Sequence, residues 1–403
     1  MDLVTLEDVQ AAASRLDGVA TKTAVQVSRV LSERAGGRVY VKCENLQRTG
    51  AFKIRGAYNR IATLTPEEAA RGVVAASAGN HAQGVALGAS QLGVKSTVFM
   101  PEVAALPKIE ATSSYGAEVV LEGSIYDEAY EAAKAFAEQK GAVMVHPFDH
   151  PDVIAGQGTI ALEILEQVPD VATIIVPVGG GGLISGIAAA AKGLNSSVRI
   201  IGVEPVGAAG MRRALEKGRV SQLEELATVA DGLAAKAAGE LCLAHVQKFV
   251  DDMVTVTDEE IAQALLLVVE RGKMLVEPAG AAGAAALING ESHIEFPAVA
   301  LLSGGNIDPL LLLRVLRYGM GSAGRHFSFR TRLHDRPGEL THLSDVISRI
   351  GANIVGIEHR REGLEPRLLG DVEVSIQCET RGPDHVRLLV EKLEHAGYHV
   401  ERL

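Results

Sequence analysis

Between residues 38 and 317 two hydrophobic periods alternate along the chain. Short runs dense in β-branched and apolar residues are "RVYVKCEN" (38–45), "GVVAAS" (72–77), "STVFM" (96–100), "AEVVLEG" (117–123), "AVMVHPF" (142–148), "TIIVPV" (173–178), "VRIIGVEP" (198–205) and "AVALLSGG" (298–305). Longer stretches with apolar residues at helical spacing separate them. Strand–helix alternation of this kind predicts parallel sheets covered by helices on both faces. The strands are too many for one small sheet, so the pattern predicts two α/β lobes.

The pattern changes after residue 317. "RHFSFRTRL" (325–333) alternates like a half-exposed strand, and "PGELTHLSDVISRIG" (337–351) reads as a helix with Pro337 near its first turn. "ANIVGIEHRR" (352–361) and "DVEVSIQCET" (371–380) read as strands, "GPDHVRLLVEKLEHAG" (382–397) as a helix and "YHVERL" (398–403) as a last strand. The order βαββαβ is that of a ferredoxin-like unit. A separate small domain over 325–403 is expected, following a first region of 1–320, with "GMGSAG" (319–324) as the linker.

Composition narrows the class. A chain of 403 residues exceeds one ordinary domain. Aromatic residues make up 4%, Trp is absent and Gly numbers 43, which suits helices packed closely on sheets. The net charge is −11 with no basic block, so a nucleic-acid partner is excluded. Cys43, Cys242 and Cys378 are far apart without metal-ligand spacing; they read as small buried hydrophobes, reduced in a cytoplasmic protein. The start, "MDLVTLEDVQ", lacks a signal layout. Two charge-free stretches, 72–94 and 171–191, are long enough to raise the membrane question. The first has Asn80, His81 and Gln83 at its middle, and the second is broken by Pro177 and four glycines. Both read as strand, turn and helix, and no membrane partner is expected.

Four stretches carry candidate chemistry. In "TIIVPVGGGGLISG" a strand runs through Gly179, Gly180, Gly181 and Gly182 into a helix. Backbone N–H groups can converge there without side chains in the way, and the helix N-terminus adds its positive end; the result is an anion cradle sized for a phosphate. A P-loop would need Gly-Lys-Ser/Thr after the glycines. A dinucleotide fingerprint is nearer, since Glu204 ends the next strand, but G-x-G-x-x-G fails in both registers, ending on Ile184 or Ser185. Asn80, in "SAGNHAQG", follows a strand and is either a helix cap, a role Ser77 could share, or a ligand contact at the strand's carboxyl end. Ser303, in "ALLSGGNID", is a turn or cap residue or a hydroxyl aimed into the same crevice. Lys53, between Phe52 and Ile54 in "GAFKIRGA", is an amine among apolar neighbours. Burial disfavours its charged form, and a neutral amine can form a Schiff base. With a phosphate cradle in the same crevice, the matching aldehyde is pyridoxal 5′-phosphate.

At these four motifs the sequence resembles the fold-type II pyridoxal-phosphate enzymes, whose two-lobed fold is like that of the tryptophan synthase β subunit, and within them the serine/threonine dehydratase family. The resemblance covers about residues 3–317, although Ala51 stands where the family's lysine motif more often has Ser. It implies a small lobe of about 48–150 inserted in the large one. It implies that Lys53 carries the cofactor and moves the α-proton, that Phe52 packs near the cofactor, and that Asn80 bonds the ring's phenolic oxygen. The backbone of Gly179, Gly180, Gly181, Gly182 and Leu183 would hold the phosphate, and Ser303 would meet the pyridine nitrogen. Ser77, Ala78 and Gly79 would sit near the substrate carboxylate. A neutral hydroxyl at the ring nitrogen favours β-elimination over transamination. The implied reaction is dehydration and deamination of L-threonine, or L-serine, to a 2-oxo acid and ammonia, in isoleucine biosynthesis.

Two departures bear on this. Racemases of the family have a second serine where this chain has Ala78. Relatives that bind a divalent metal use a carboxylate where this chain has Gly210, beyond Glu204 and Ala208; no metal is expected. The tail, "HDRPGELTHLSDVISRIGANIVGI", resembles an ACT domain. Such domains pair side by side and bind amino acids, which implies isoleucine or valine as effector near Asp335, Gly338 and Asn353, and a homodimer or homotetramer. The competing readings are a serine or hydroxyaspartate dehydratase or a serine racemase on the same fold, a nicotinamide-dependent oxidoreductase that uses Glu204, an amino-acid sensor with a dead catalytic region, and a tail that only holds oligomers together.

Overall fold

The computed structural model describes residues 2–289, 293–360 and 370–403. The chain divides into two compact units, Met1–Asp308 and Pro309–Leu403. Arg361, the last residue of the strand expected over 352–361, lies outside the described residues.

The first unit holds two sheets. In the larger, the strands run in the order Val25–Val27, Val39–Lys42, Ala298–Leu301, Thr173–Pro177, Arg199–Pro205 and Asp252–Val256. All pair in parallel except Val25–Val27, which is antiparallel to its neighbour. In the smaller, Glu118–Leu121, Ser96–Met100, Val73–Ala76 and Val143–Met144 pair in parallel. The chain therefore leaves the large sheet after Lys42, builds the small one, and returns at Thr173. The strands Val73–Ala76, Ser96–Met100, Thr173–Pro177 and Ala298–Leu301 are buried at every position, which is why apolar residues fill them apart from Ser96, Thr97 and Thr173.

Two strands were not legible in the sequence. Val25–Val27 has three residues, and Asp252–Val256 alternates half-buried and buried positions. They lie at the two edges of the large sheet, where no second neighbour demands a continuous apolar run. Of "AVMVHPF" only Val143–Met144 forms a strand; Val145 is buried and still donates its N–H to the Val74 carbonyl at 2.9 Å, and His146, Pro147 and Phe148 line the crevice described below.

The helices Pro151–Gln167 and Gly182–Leu194 cross beneath the large sheet at very close range. A Cβ on Gly186 would lie 2.1 Å from the Ile154 carbonyl oxygen, and one on Gly158 would lie 2.7 Å from that of Gly186. The abundant glycine and alanine thus serve backbone-to-backbone packing.

The second unit opens with a helix, Pro309–Ser322, so Gly319 to Ser322 extend a helix where a linker was expected. Buried Val315 and Gly319, four residues apart on one face, carry the helix through that stretch. An antiparallel sheet follows in the order Asn353–Arg360, Asp371–Glu379, His326–His334, Glu401–Arg402. With the helices Glu339–Ile350 and Pro383–His395 it makes the expected βαββαβ unit. Its core is Phe329, Leu333, Leu343, Ile347, Val374, Ile376, Leu389 and Leu393. Pro337 lies ahead of the first helix rather than in its first turn. Gly338, at φ 99°, makes the left-handed entry, and Glu339 is the first helical residue.

Candidate active site

A crevice of about 970 Å³ opens at the carboxyl ends of the strands of the first unit, between its two sheets. It is large enough for a cofactor with a small substrate. Its walls include Phe52, Lys53, Ser77, Ala78, Gly79, Asn80, the four glycines, Leu183, Glu277 and Ser303. Every residue proposed from the sequence for the cofactor and the substrate carboxylate therefore comes to one place.

Lys53 is the first residue of the helix Lys53–Ala62 and is half-buried. The chain reaches it through a tight turn in which Thr49 takes φ 64°. Ala51 bridges to Gly304, and the Phe52 N–H donates to the Ser303 carbonyl at 3.2 Å. The lysine is thereby stitched to the loop that carries Ser303. Lys53 Nζ donates to the Pro147 carbonyl at 3.0 Å and stands 5.2 Å from the centre of the Phe52 ring. Burial pushes the Lys53 ammonium down to about 8, partly offset by Cys242 and Glu277. The positive end of its own helix works in the same direction as burial.

This has a thermodynamic consequence. The unfolded lysine loses its proton near 10.5 and the folded one near 8, so between these values the unfolded chain binds more protons and stability rises with pH. Lys53→Met is expected to make the cofactor-free protein more stable below about pH 8, with the advantage shrinking as pH climbs to 10.5. Denaturation midpoints across that range would check it; an advantage independent of pH would contradict the lowered value.

Asn80 is not a helix cap. Gly79 occupies that position, and Asn80 is the first residue of the helix Asn80–Gln91. Its Nδ2 donates to Glu277 Oε1 at 2.7 Å and its Oδ1 accepts from Asn306 Nδ2 at 2.8 Å. Asn306 also bonds the Thr49 carbonyl at 2.5 Å, which ties Asn80 to the turn before Lys53. Ser77 Oγ accepts from the Gly79 N–H at 3.1 Å and so shapes the turn ahead of the helix.

The glycine run is needed on steric grounds. A Cβ on Gly180 would lie 2.4 Å from the Phe148 ring, and one on Gly182 would lie 2.7 Å from the Phe148 carbonyl. Gly181 has φ 103° and a Cβ there would lie 2.8 Å from the Cys242 Cβ. Gly181 precedes the helix Gly182–Leu194, which is 13 residues long and turns its N-terminus to the crevice. Small residues and a helix N-terminus at the crevice wall together fit a phosphate.

Glu277 was not anticipated. It is buried just ahead of the helix Pro278–Asn289, and burial, with Asp231 adding to it, pushes its carboxyl up to about 7. Its sequence signal was a lone acid opening a charge-free helix. Glu204, by contrast, cannot serve a nucleotide ribose. Its oxygens accept from the Met211 and Arg212 N–H groups at 2.7 and 2.8 Å, and it is fully buried. The nicotinamide reading loses its acid for that reason.

In the second unit, Asp335 and Gly338 lie at the turn after His326–His334, beside the His334–Asp371 pair. Asn353 lies beside Glu379, at the other end of the sheet. One chain therefore does not bring the three into one pocket. Among the described residues no group of His, Cys, Asp and Glu is placed to hold a metal ion, and no helix is long and apolar enough to cross a membrane.

A two-sheet α/β crevice that joins a lysine of lowered pKa to a glycine run at a helix N-terminus has the groups that a phosphorylated aldehyde needs. The chain belongs to the pyridoxal-phosphate dependent enzyme family, whose model matches residues 16–304. It is 48% identical over 399 residues to the L-threonine ammonia-lyase of Thermotoga maritima, covering 99% of both chains. Among solved structures it is similar to maize serine racemase (38% identity, TM-score 0.75, 78% of this chain and 97% of that one). It is similar also to the processed form of threonine deaminase isoform 2 from Solanum lycopersicum (39% identity, TM-score 0.74, 78% of this chain and 92% of that one). The chain is a pyridoxal-phosphate dependent carbon–nitrogen lyase, with the parallel-sheet α/β fold of that family.

Proposed function

We propose that the protein converts L-threonine to 2-oxobutanoate and ammonia by β-elimination, as the committed step of isoleucine biosynthesis, under amino-acid control through its C-terminal unit. The observation that carries the reading is the 48% identity, across the whole length of both chains, to an L-threonine ammonia-lyase. Bound pyridoxal phosphate would supply the electron sink for the bond broken at Cα. The rest is assigned to this chain's own groups. Lys53, with its amine neutral above about pH 8, holds the cofactor and then takes the Cα proton. Asn80, held by Glu277 and Asn306, presents its amide to the ring oxygen, and Phe52 packs beside it. Gly179 to Leu183 take the phosphate, and Ser303 meets the ring nitrogen with a neutral hydroxyl. Ser77, Ala78 and Gly79 take the substrate carboxylate at the start of the helix Asn80–Gln91. The hydroxyl of threonine leaves as water, and the enamine that remains tautomerises and takes up one water, giving ammonia and the 2-oxo acid.

The test is turnover of L-threonine and L-serine by the purified holoenzyme, with the 2-oxo acid and any D-isomer measured together. The threonine reading requires kcat/KM to favour threonine. The similarity to a serine racemase motivates the second reading. Ala78 argues against it, because it offers no hydroxyl in the crevice to protonate the face opposite Lys53. Interconversion of L- and D-serine is expected to be slower than deamination, and the reverse would replace the reading.

The regulatory part rests on the ferredoxin-like topology of the second unit and on the Asp-x-Pro-Gly turn, which resembles that of ACT domains. Since Asp335 and Asn353 lie at opposite ends of one sheet, an effector touching both would sit between two copies, in a homodimer or homotetramer. Isoleucine or valine is expected to shift the threonine saturation curve. Asp335→Ala and Asn353→Ala are each expected to weaken that shift about tenfold in effector concentration, the scale of one charge-assisted hydrogen bond, and to leave kcat unchanged. An unaltered response in both variants would move the effector site elsewhere.

A further inference from the structure

Two residues beyond Lys53, on the far side of the same helix, Arg55 is 1% exposed. Two residues turn a helix by about 200°, so Lys53 faces the crevice while Arg55 faces the body of the large lobe. Its Nε and Nη2 donate to the two oxygens of Glu44, both at 2.8 Å. Nη1 donates to Glu163 Oε1 at 2.6 Å and to Thr159 Oγ1 at 3.1 Å, and Nη2 donates also to the Thr21 carbonyl at 3.2 Å. All five guanidinium N–H groups are thereby used. The acceptors are held in turn: Thr23 Oγ1 donates to Glu44 Oε1, and Lys42 Nζ donates to Glu163 Oε2, both at 2.5 Å.

The elements that Arg55 joins are those that carry the rest of the cofactor site. Glu44 follows the strand Val39–Lys42, which pairs with Ala298–Leu301, the strand leading to Ser303. Thr159 and Glu163 lie on Pro151–Gln167, the helix packed backbone to backbone against the one that begins at the glycine cradle. A Cβ on Gly156 of that helix would lie 2.6 Å from the Arg55 carbonyl oxygen, so the lysine helix is seated against it as well. Buried ion networks add little net stability compared with apolar packing of the same volume, because desolvation offsets the attraction. What such a network does supply is direction: a planar, fully bonded fork fixes the helix start in position and rotation.

We propose that Arg55 is a positioning residue for Lys53. Through Glu44 and Glu163 it holds the lysine in register with Ser303 and the glycine cradle, so that the amine meets the aldehyde of a cofactor whose phosphate is already seated. The proposal rests on the reading of Lys53 as the cofactor's anchor.

The experiment compares two ligands on the cofactor-free, full-length protein: pyridoxal 5′-phosphate and pyridoxamine 5′-phosphate. They share ring and phosphate, but the second has an amine in place of the aldehyde and forms no bond with lysine. Arg55→Lys is expected to weaken binding of the aldehyde by about tenfold to 100-fold, the scale of an ångström's misplacement, and to leave pyridoxamine phosphate within about twofold. It is expected also to shift the pH midpoint of the bound cofactor's visible band. Glu163→Gln, at a less buried position, is expected to do the same more weakly, and decides alone if Arg55→Lys does not fold. Equal losses for both ligands, or no loss for either, overturn the positioning role. Lys53→Ala is the control: if it binds the aldehyde as tightly as the parent, the anchor reading fails, whatever Arg55 does.

Discussion

Lys53→Ala is expected to abolish deamination, lowering kcat by about 10⁴-fold or more, while the protein still folds. The size follows from the two tasks that one amine performs, since it both holds the cofactor and moves the proton. The fold should survive because the side chain contributes a single hydrogen bond, to the Pro147 carbonyl, from a position where burial already opposes its charge. Comparison of turnover with the thermal midpoint separates the two effects. Substantial remaining turnover in a well-folded variant would remove Lys53 from the mechanism, and with it the threonine reading.

Gly181→Ala is expected to cost about 100-fold in affinity for pyridoxal phosphate, equal to about 2.7 kcal/mol, or one to two charge-assisted hydrogen bonds. At φ 103° an alanine is strained by about 1–3 kcal/mol, and its methyl would meet the Cys242 Cβ at 2.8 Å. The loop relieves both by rotating, which turns its N–H groups away from the phosphate. The effect should therefore depend on the phosphate. Pyridoxal, which lacks it, should bind the variant about as well as the parent. A loss shared equally by both compounds would mean that the glycine shapes the crevice in general and is not specific to an anion cradle.

Several features of this protein could be read without a structure. The strand at each apolar run, the glycines at the head of a helix, and the βαββαβ tail are local patterns, because sheet burial, on one face or both, and the helical period leave their marks residue by residue. Lys53 stood out for the same reason, as a charge placed where its neighbours are apolar. Its cofactor followed from pairing that amine with a phosphate cradle, which two short segments reveal even when their distance is unknown. The edge strands Val25–Val27 and Asp252–Val256 left no such mark, since a half-exposed edge does not require apolar residues throughout.

Other features emerge only on folding, because they are relations between distant segments. Asn80 taken alone reads first as a helix cap; its partners Glu277 and Asn306 lie 197 and 226 residues away along the chain. Glu204 looked available to a ligand until two backbone N–H groups proved to hold it. Nothing in the sequence singles out Arg55; only folding brings Glu44, Thr159 and Glu163 around it. An amine or a glycine keeps its properties wherever it lies, so Lys53 and the run Gly179 to Gly182 could be picked out along the chain, whereas Glu277 and Arg55 could not. Which residues share the crevice follows only from the fold, because hydrogen bonding and desolvation act over a few ångströms of space and are blind to distance along the chain.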